Sequence, residues 1–97
     1  MNMREIKEIS EIISKIKDSS DIYNFLLEIL TESEVITISK RWRILTMLNE
    51  GKTQREIAKD MKVSLCNITR GAKIIKNKHS IVTKYLKKEI INDNEYK

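Results

Sequence analysis

The chain has 97 residues, a net charge of +5, no proline and two glycines. This length suits one small domain, and the scarcity of turn-forming residues excludes a many-stranded sandwich or barrel. The charge is uneven, since residues 1–30 carry 4 basic and 6 acidic side chains whereas residues 61–97 carry 9 and 3. We therefore expect a mostly helical protein whose basic second half binds nucleic acid, with a solvated helical face as the alternative.

The first half of the chain predicts three helices. Isoleucines within residues 6–16 recur every three or four positions and form one stripe of a first helix. Capping side chains at residues 19–21 begin a second helix with the same apolar periodicity. Thr31 and Glu34 form a capping box that begins a third helix, and Gly51 suits its left-handed end. The expected inner stripe of this third helix consists of Val35, Ile38, Trp42, Leu45 and Leu48.

Residues 53–74 have the plan of a helix-turn-helix motif, two short capped helices joined by a tight turn. Thr53 and Glu56 form a second capping box at its start, and Ser64 is the expected cap of the second short helix. Lys62 stands in the turn, where glycine is commonest because the backbone there tends toward positive φ. The expected contacts between the two helices come from Ile57, Met61, Val63 and Ile68, with Ala58 as the small residue that allows close approach.

A sixth helix is expected from about Ser80, followed by a polar tail over residues 92–97. Its expected inward residues are Ile81, Val82, Tyr85, Leu86 and Ile90. The thin apolar stripes of the first two helices need a further surface to cover them, because a chain of this size buries only about 60% of its unfolded surface. A homodimer supplies that surface, and the alternative is a compact monomeric bundle with a mobile first helix.

The outward face of the second short helix carries residues suited to reading DNA. Those residues are Leu65, Cys66, Asn67, Thr69 and Arg70, and Arg55 at the start of the first short helix faces the same way. Side chains on such a face can approach base edges in the major groove. The alternative is a helical hairpin that contacts another protein.

Residues that carry out chemistry are scarce. Cys66 and His79 are each the single residue of their type, so neither a disulfide framework nor a metal site is expected. Cys66 is expected to pack as a small half-buried residue and His79 to be solvated. The chain has no glycine-rich phosphate loop and no nucleophile–base pair, which argues against an enzyme or a bound cofactor. Without a signal sequence or a membrane-spanning apolar run, we expect a cytoplasmic protein with no membrane partner.

Residues 30–90 resemble the tryptophan operon repressor family. The motifs that carry the resemblance are Gln54-Arg55-Glu56-Ile57 and Ile68-Thr69-Arg70-Gly71, with shorter matches at Leu30-Thr31, Lys40-Arg41, Arg43-Ile44 and Gly51. The resemblance implies an all-α, six-helix chain that forms an intertwined homodimer. It also implies a single domain over residues 1–91, in which residues 1–30 form the dimerisation helices and residues 53–74 the helix-turn-helix.

The same resemblance implies a ligand, free L-tryptophan, that acts as co-repressor and switches binding to a palindromic operator. The indole would lie between Arg41 and Arg70, since guanidinium planes stack on aromatic faces and fork onto carboxylates. Gly71 would leave room for the ligand. The remaining implied ligand residues are Thr31, from the partner subunit, Leu30 and Leu45. The chain departs from the family at Ile74. The resemblance implies a serine at this position, near the ligand's amino group. In this chain, therefore, either backbone carbonyls bind that group or the ligand differs.

The resemblance also assigns DNA contacts. It implies that Gln54 binds a phosphate, that Arg55 binds a guanine edge, and that Lys40 contacts the DNA backbone from the third helix. Further implied contacts are Leu65, Cys66, Asn67 and Thr69 along the recognition helix, and Lys73 and Lys76 along the phosphates. Two alternatives stay open: a DNA-binding relative that does not use tryptophan, and a helical interaction module that does not bind DNA.

Overall fold

The computed structural model describes residues 3–87, and within that range the chain has six helical segments and no β-strand. Five are α1 (Arg4–Lys15), α2 (Ser19–Ile29), α3 (Glu32–Asn49), α4 (Gln54–Met61) and α5 (Leu65–Lys76), and the sixth, α6, covers residues 81–87. The predicted all-α class with six helices is thereby confirmed. The predicted tail over residues 92–97 and the inward position of Ile90 lie outside the described residues.

The chain divides into two compact units, Met1–Ile36 and Thr37–Lys97, with the boundary inside α3. In the first unit, α1 is amphipathic as predicted, but no residue of α1 or α2 is buried. Ile9 and Ile13 are half-buried, whereas Ile6 and Ile12 are exposed. The isoleucine stripe therefore exists, and part of it is left uncovered by this chain.

The two helix starts of the first unit are capped by side chains. Asp18, not a residue of the predicted 19–21 segment, is the N-cap of α2, because its backbone is extended (φ −92°, ψ 124°) and its carboxylate accepts from the Ser20 N–H at 2.9 Å. The predicted capping box at α3 is confirmed: the Thr31 hydroxyl accepts from the Glu34 N–H at 3.2 Å, and the Glu34 carboxylate accepts from the Thr31 N–H at 2.8 Å.

The core of the second unit lies where α3 meets the helix-turn-helix. Ile44, Met47, Ile57 and Ile68 form it, and Leu48, Ala58, Met61 and Val63 pack against them, as predicted for the helix-turn-helix residues. The predicted inner stripe of α3 is wrong in part. Ile38 and Trp42 are each 49% exposed, whereas Ile44 and Met47 are buried. The buried stripe keeps the helical spacing of three and four residues but lies on an adjacent face, the one that α4 and α5 cover.

The helix-turn-helix has the predicted backbone. Gly51 has φ +95° and ends α3 with bonds from its own N–H to the Leu48 carbonyl and from the Lys52 N–H to the Met47 carbonyl, the Schellman pattern. The Thr53 hydroxyl accepts from the Glu56 N–H at 3.1 Å, and the same hydroxyl donates to the Glu56 carboxylate. In this capping box the Glu56 carboxylate thus accepts from the Thr53 hydroxyl and not from the Thr53 backbone N–H.

The turn between α4 and α5 is tight. Lys62 is left-handed (φ 55°, ψ 43°), as its position predicts. Ser64 has the backbone of an N-cap (φ −70°, ψ 150°), but its side chain makes no capping hydrogen bond, so the predicted hydroxyl cap is wrong. The exposed first N–H groups of α5 are left to solvent at this end.

The final helical segment, α6, is fixed to the end of α5 by Thr83. This buried residue donates its hydroxyl to the Ile74 carbonyl at 3.0 Å, and its N–H is capped by the Ser80 hydroxyl. Leu86 is buried as predicted, but Ile81 and Tyr85 are exposed. The inward face runs through residues 82, 83 and 86, because Thr83 can be buried once its hydroxyl donates to a carbonyl, which the apolar pattern does not predict. None of the helices in residues 3–87 is both long and apolar enough to cross a membrane.

Candidate ligand cavity and nucleic-acid interface

A cavity of about 260 Å³ lies between α3 and α5 in the second unit. Its lining residues are Arg41, Ile44, Leu45, Asn67, Arg70, Gly71 and Ile74. Four of the residues that the sequence assigns to a ligand are therefore brought together, namely Arg41, Leu45, Arg70 and Gly71. The other two, Leu30 and Thr31, belong to the first unit, and Thr31 caps α3 there.

Gly71 determines how closely α5 approaches α3. A Cβ at this position would lie 3.2 Å from both Ile44 Cγ2 and Leu48 Cδ1, and 3.7 Å from Leu45 Cδ2. The sequence predicts that the missing side chain leaves room for a ligand. The structure adds a second role, because a Cβ here would lie in tighter than ordinary contact with Ile44 and Leu48, and those side chains would have to shift by a few tenths of an ångström.

The cavity combines two guanidinium groups with apolar walls. Arg41 and Arg70 supply the charge, Ile44, Leu45 and Ile74 supply aliphatic surface, and Asn67 supplies an amide. Guanidinium groups stack on flat rings and bind carboxylates in bidentate fashion. Such walls suit a flat, apolar ligand that carries a negative charge.

Sequence reasoning missed some of this lining. The sequence does not assign Ile44 to the ligand, it assigns Asn67 to DNA alone, and it marks Ile74 only as a departure from the family. Helical spacing places all three on the same helix faces as the two arginines, but only the packing of α3 against α5 shows that these faces line a cavity. Ile44 follows Arg41 by three positions, and Asn67 and Ile74 lie three before and four after Arg70, on the same helix face.

The side of α5 that faces away from the cavity is exposed. Leu65 is 54% exposed, Cys66 and Thr69 are exposed as well, and Ile68 is fully buried. Asn67 and Arg70, which line the cavity, are also exposed. The expectation of a half-buried Cys66 is wrong, because a residue two positions from the buried Ile68 points away from the core. Arg55, Lys40, Lys73 and Lys76 are exposed as well, while Gln54 is half-buried.

Gln54 and Thr69 connect the first turn of α4 to α5. The Thr69 hydroxyl donates to the Leu65 carbonyl at 2.9 Å and lies 3.3 Å from the Gln54 side-chain oxygen. Both residues belong to the predicted DNA contacts, so the structure brings these two together at one edge of the exposed face.

Within residues 3–87, no group of three or more His, Cys, Asp or Glu side chains could hold a metal ion.

Two short helices around a left-handed turn, with a buried crossing and exposed basic side chains, define a helix-turn-helix protein. A family model described as Trp repressor protein matches residues 4–90. The chain therefore belongs to the Trp repressor family, whose members are DNA-binding transcription regulators and not enzymes.

Curated relatives agree with this assignment. The chain is 39% identical over 75 residues to the Trp operon repressor homolog of Xylella fastidiosa (strain M23), covering 75% of this chain and 79% of that protein. It is 34% identical over 80 residues to the Trp operon repressor homolog of Chlamydia trachomatis (serovar D), with 81% and 85% covered. The homolog from Chlamydia caviae is 39% identical over 67 residues, with 68% and 66% covered. No solved structure matches the chain.

Proposed function

We propose that this protein is a cytoplasmic repressor that binds operator DNA as a homodimer and uses L-tryptophan as its co-repressor. The observation that carries the proposal is that α5 presents two functional faces at once. Leu65, Cys66 and Thr69 are exposed on one side, whereas Gly71 and Ile74 line the cavity against α3. A ligand in the cavity therefore acts directly on the helix that reads DNA.

The switch follows from this placement. A ligand wedged between α3 and α5 favours whichever position of α5 fits it best, and it shifts the equilibrium by its differential affinity for the DNA-competent arrangement. Arg41 on α3 and Arg70 on α5 both contact the ligand in this proposal, so the bound ligand sets the spacing of these two helices. Thr31 of the partner subunit, together with Leu30 and Leu45, completes the proposed slot. The cavity of about 260 Å³ is slightly smaller than the roughly 300–1,000 Å³ of most small-molecule sites.

A homodimer is supported by the apolar surface that a single chain leaves exposed. Large apolar side chains exposed on α2 and α3 are Tyr23, Leu26, Leu27, Ile29, Ile36, Ile38 and Trp42. So many large apolar side chains left exposed on one short chain indicate an interface with a partner. A two-fold dimer also presents two recognition helices about 34 Å apart, the spacing of successive major grooves on one side of the duplex.

The DNA contacts proposed from the sequence fit the exposed face. Arg55 binds a guanine edge, Gln54 binds a phosphate next to Thr69, and Lys40 contacts the backbone from α3. Leu65, Cys66 and Asn67 approach the bases, and Lys73 and Lys76 follow the phosphates.

Selection from a pool of random duplexes tests the proposal. With L-tryptophan present, the wild-type protein is expected to enrich a palindromic sequence, and without it to enrich none. Arg41→Ala and Arg70→Ala are expected to abolish the effect of the ligand while the dimer persists in sedimentation. Arg43→Ala is the matched control, an exposed arginine on α3 outside the cavity lining. Equal enrichment with and without L-tryptophan would contradict the co-repressor role.

A second candidate is a DNA-binding regulator of the same family that does not respond to tryptophan. The presence of Ile74 in the cavity lining favours it, because an apolar side chain offers no acceptor to an ammonium group. A thermal shift measured with millimolar L-tryptophan separates the two candidates, since a bound ligand raises the melting temperature.

A further inference from the structure

A second depression, of about 340 Å³, lies between the end of α3, the start of α4 and the last turns of α5. None of the residues assigned to the ligand lines it. Its apolar lining comes from Leu48, Ala72 and Ile75, and its polar lining includes Lys52, Gln54 and Lys76. Gln54 and Lys76 are already proposed phosphate contacts, whereas Lys52 has been given no role.

The backbone at Lys52 is held on both sides. Its N–H donates to the Met47 carbonyl at 3.1 Å, just after the left-handed Gly51 that ends α3. The next residue, Thr53, is the N-cap of α4, and its hydroxyl accepts from the Glu56 N–H at 3.1 Å. The exposed side chain of Lys52 therefore extends from a fixed point, which lowers the entropy lost when its ammonium group binds a partner.

The polar groups of this depression suit an anion. Lysine ammonium groups only donate hydrogen bonds. The Gln54 side-chain oxygen lies 3.3 Å from the Thr69 hydroxyl, which leaves the amide N–H groups of Gln54 to donate elsewhere. In the part of the chain that the structure describes, no acidic side chain lines the depression, and neither Lys52 nor Lys76 forms an ion pair. Two cations and an amide donor thus line one depression that holds no anionic side chain.

The depression is continuous with the face that carries the proposed DNA contacts. Gln54 lines the depression and also approaches Thr69, an exposed residue of that face. The anion that DNA presents along such a face is the backbone phosphate, and lysine and glutamine side chains are among its usual donors. Because Gln54 and Lys76 border the same depression, a single phosphate group can reach both.

We propose that this depression holds one phosphate of the operator backbone in each half-site, shared by Gln54 and Lys76, and that Lys52 is its third contact. The inference rests on the proposed binding of operator DNA. It assigns one common phosphate to side chains from three segments. A phosphate held there ties the end of α3 and the start of α4 to the end of α5, the helix that also lines the ligand cavity.

Methylphosphonate substitution of the operator, which removes the charge of one phosphate at a time, tests the proposal. Fluorescence anisotropy with the full-length protein and L-tryptophan measures the affinity for each substituted duplex. At one position in each half-site, substitution is expected to weaken wild-type binding about tenfold, the size of one hydrogen bond to a charged group. In Lys52→Ala the same substitution is expected to cost about threefold, and in Lys52→Ala with Lys76→Ala less than about twofold.

Two further variants separate a phosphate contact from a general effect of charge or folding. Lys52→Arg keeps the charge and is expected to retain the full cost at that position. Lys84→Ala removes a charge from an exposed residue of α6 outside the depression and is expected to retain it too. The melting temperature of Lys52→Ala is expected to equal that of the wild type, because the bond to the Met47 carbonyl comes from the backbone.

The outcomes distinguish this inference from the function on which it rests. An unchanged cost at every position in Lys52→Ala, with operator binding intact, would overturn the inference alone. Different sensitive positions for Lys52→Ala, Gln54→Ala and Lys76→Ala would also overturn it, because the three would then not share a phosphate. A lower melting temperature of Lys52→Ala with equal weakening on all duplexes would indicate a structural role instead. A wild-type protein that binds no operator would overturn the proposed function and this inference with it.

Discussion

Lys62 holds a conformation that L-residues adopt at a cost. Its backbone is left-handed, at φ 55° and ψ 43°, where Cβ approaches the following carbonyl oxygen. The residue ends α4 and turns the chain toward α5, so the position of α5 depends on its conformation. The surrounding core at Ile57 and Ile68, both fully buried, offsets the strain.

Lys62→Gly is expected to stabilise the protein, because glycine adopts this conformation without a Cβ clash. We expect the free energy of unfolding to rise by about 0.5–1 kcal/mol in urea titrations. Lys59→Gly is the matched control, since this lysine lies inside α4, where glycine is expected to cost about 1 kcal/mol. A loss of stability in both variants would contradict the assignment of strain to Lys62.

Gly71 shows a different use of the same residue type. The φ of Gly71 is not left-handed. Glycine matters here because a Cβ would crowd the side chains of Ile44 and Leu48. The sequence indicates that glycine is required at both Gly51 and Gly71, but for physically distinct reasons. Gly51 supplies a backbone conformation, whereas Gly71 supplies close helix packing beside the cavity.

At the level of elements, two helix starts depend on ionised carboxylates. A backbone hydrogen bond from Ser20 lowers the pKa of Asp18, and a backbone hydrogen bond from Thr31 lowers the pKa of Glu34. A carboxyl group with a lower pKa in the folded state stabilises the fold above its unfolded pKa and loses that effect as pH falls through its folded pKa. The starts of α2 and α3 are therefore expected to weaken in acid.

The expected result is a fall in the free energy of unfolding as pH decreases below about 4, the ordinary range of carboxyl groups. The double variant Asp18→Asn and Glu34→Gln is expected to show a shallower fall, because it keeps polar caps but removes both titrations. Urea unfolding followed by circular dichroism at several pH values measures it. Glu28→Gln, on α2 outside both caps, is the control, and an unchanged pH profile in the double variant would contradict the cap assignment.

The elements also show where periodicity succeeds and where it fails. Capping boxes, the left-handed end at Gly51 and the turn at Lys62 depend on neighbouring residues, so a short stretch of sequence predicts them. The buried face of α3 depends on what packs against it. Trp42 belongs to one apolar stripe and Ile44 to an adjacent one, and sequence spacing alone does not rank them.

At the level of the whole molecule, the basic charge and the proposed two-fold symmetry both bear on DNA binding. In the proposed dimer each phosphate contact occurs twice, once for each subunit. The logarithm of the affinity for DNA falls with the logarithm of salt concentration in proportion to the number of phosphates neutralised. A salt-insensitive partner would instead favour the alternative of a helical interaction module.

Lys40→Ala is expected to make the salt dependence of operator binding less steep by about two, one phosphate for each subunit. Fluorescence anisotropy over a range of salt concentrations, on the operator obtained by selection, measures this slope. The control is Lys84→Ala, an exposed lysine on α6 that is not among the proposed DNA contacts. Equal slopes for Lys40→Ala and the wild type would exclude Lys40 as a phosphate contact.

The sequence by itself determined the helices, the capping boxes of α3 and α4, the helix-turn-helix and its exposed face, because these depend on residues within one or two turns of each other. Only the tertiary structure decided which face of α3 is buried and that Ile74 and Asn67 line a cavity with Arg41. Those contacts join α3 to α5 across the chain, and they depend on side-chain volumes such as the missing one at Gly71. Periodicity places a residue on a face, whereas packing between distant helices decides what that face meets.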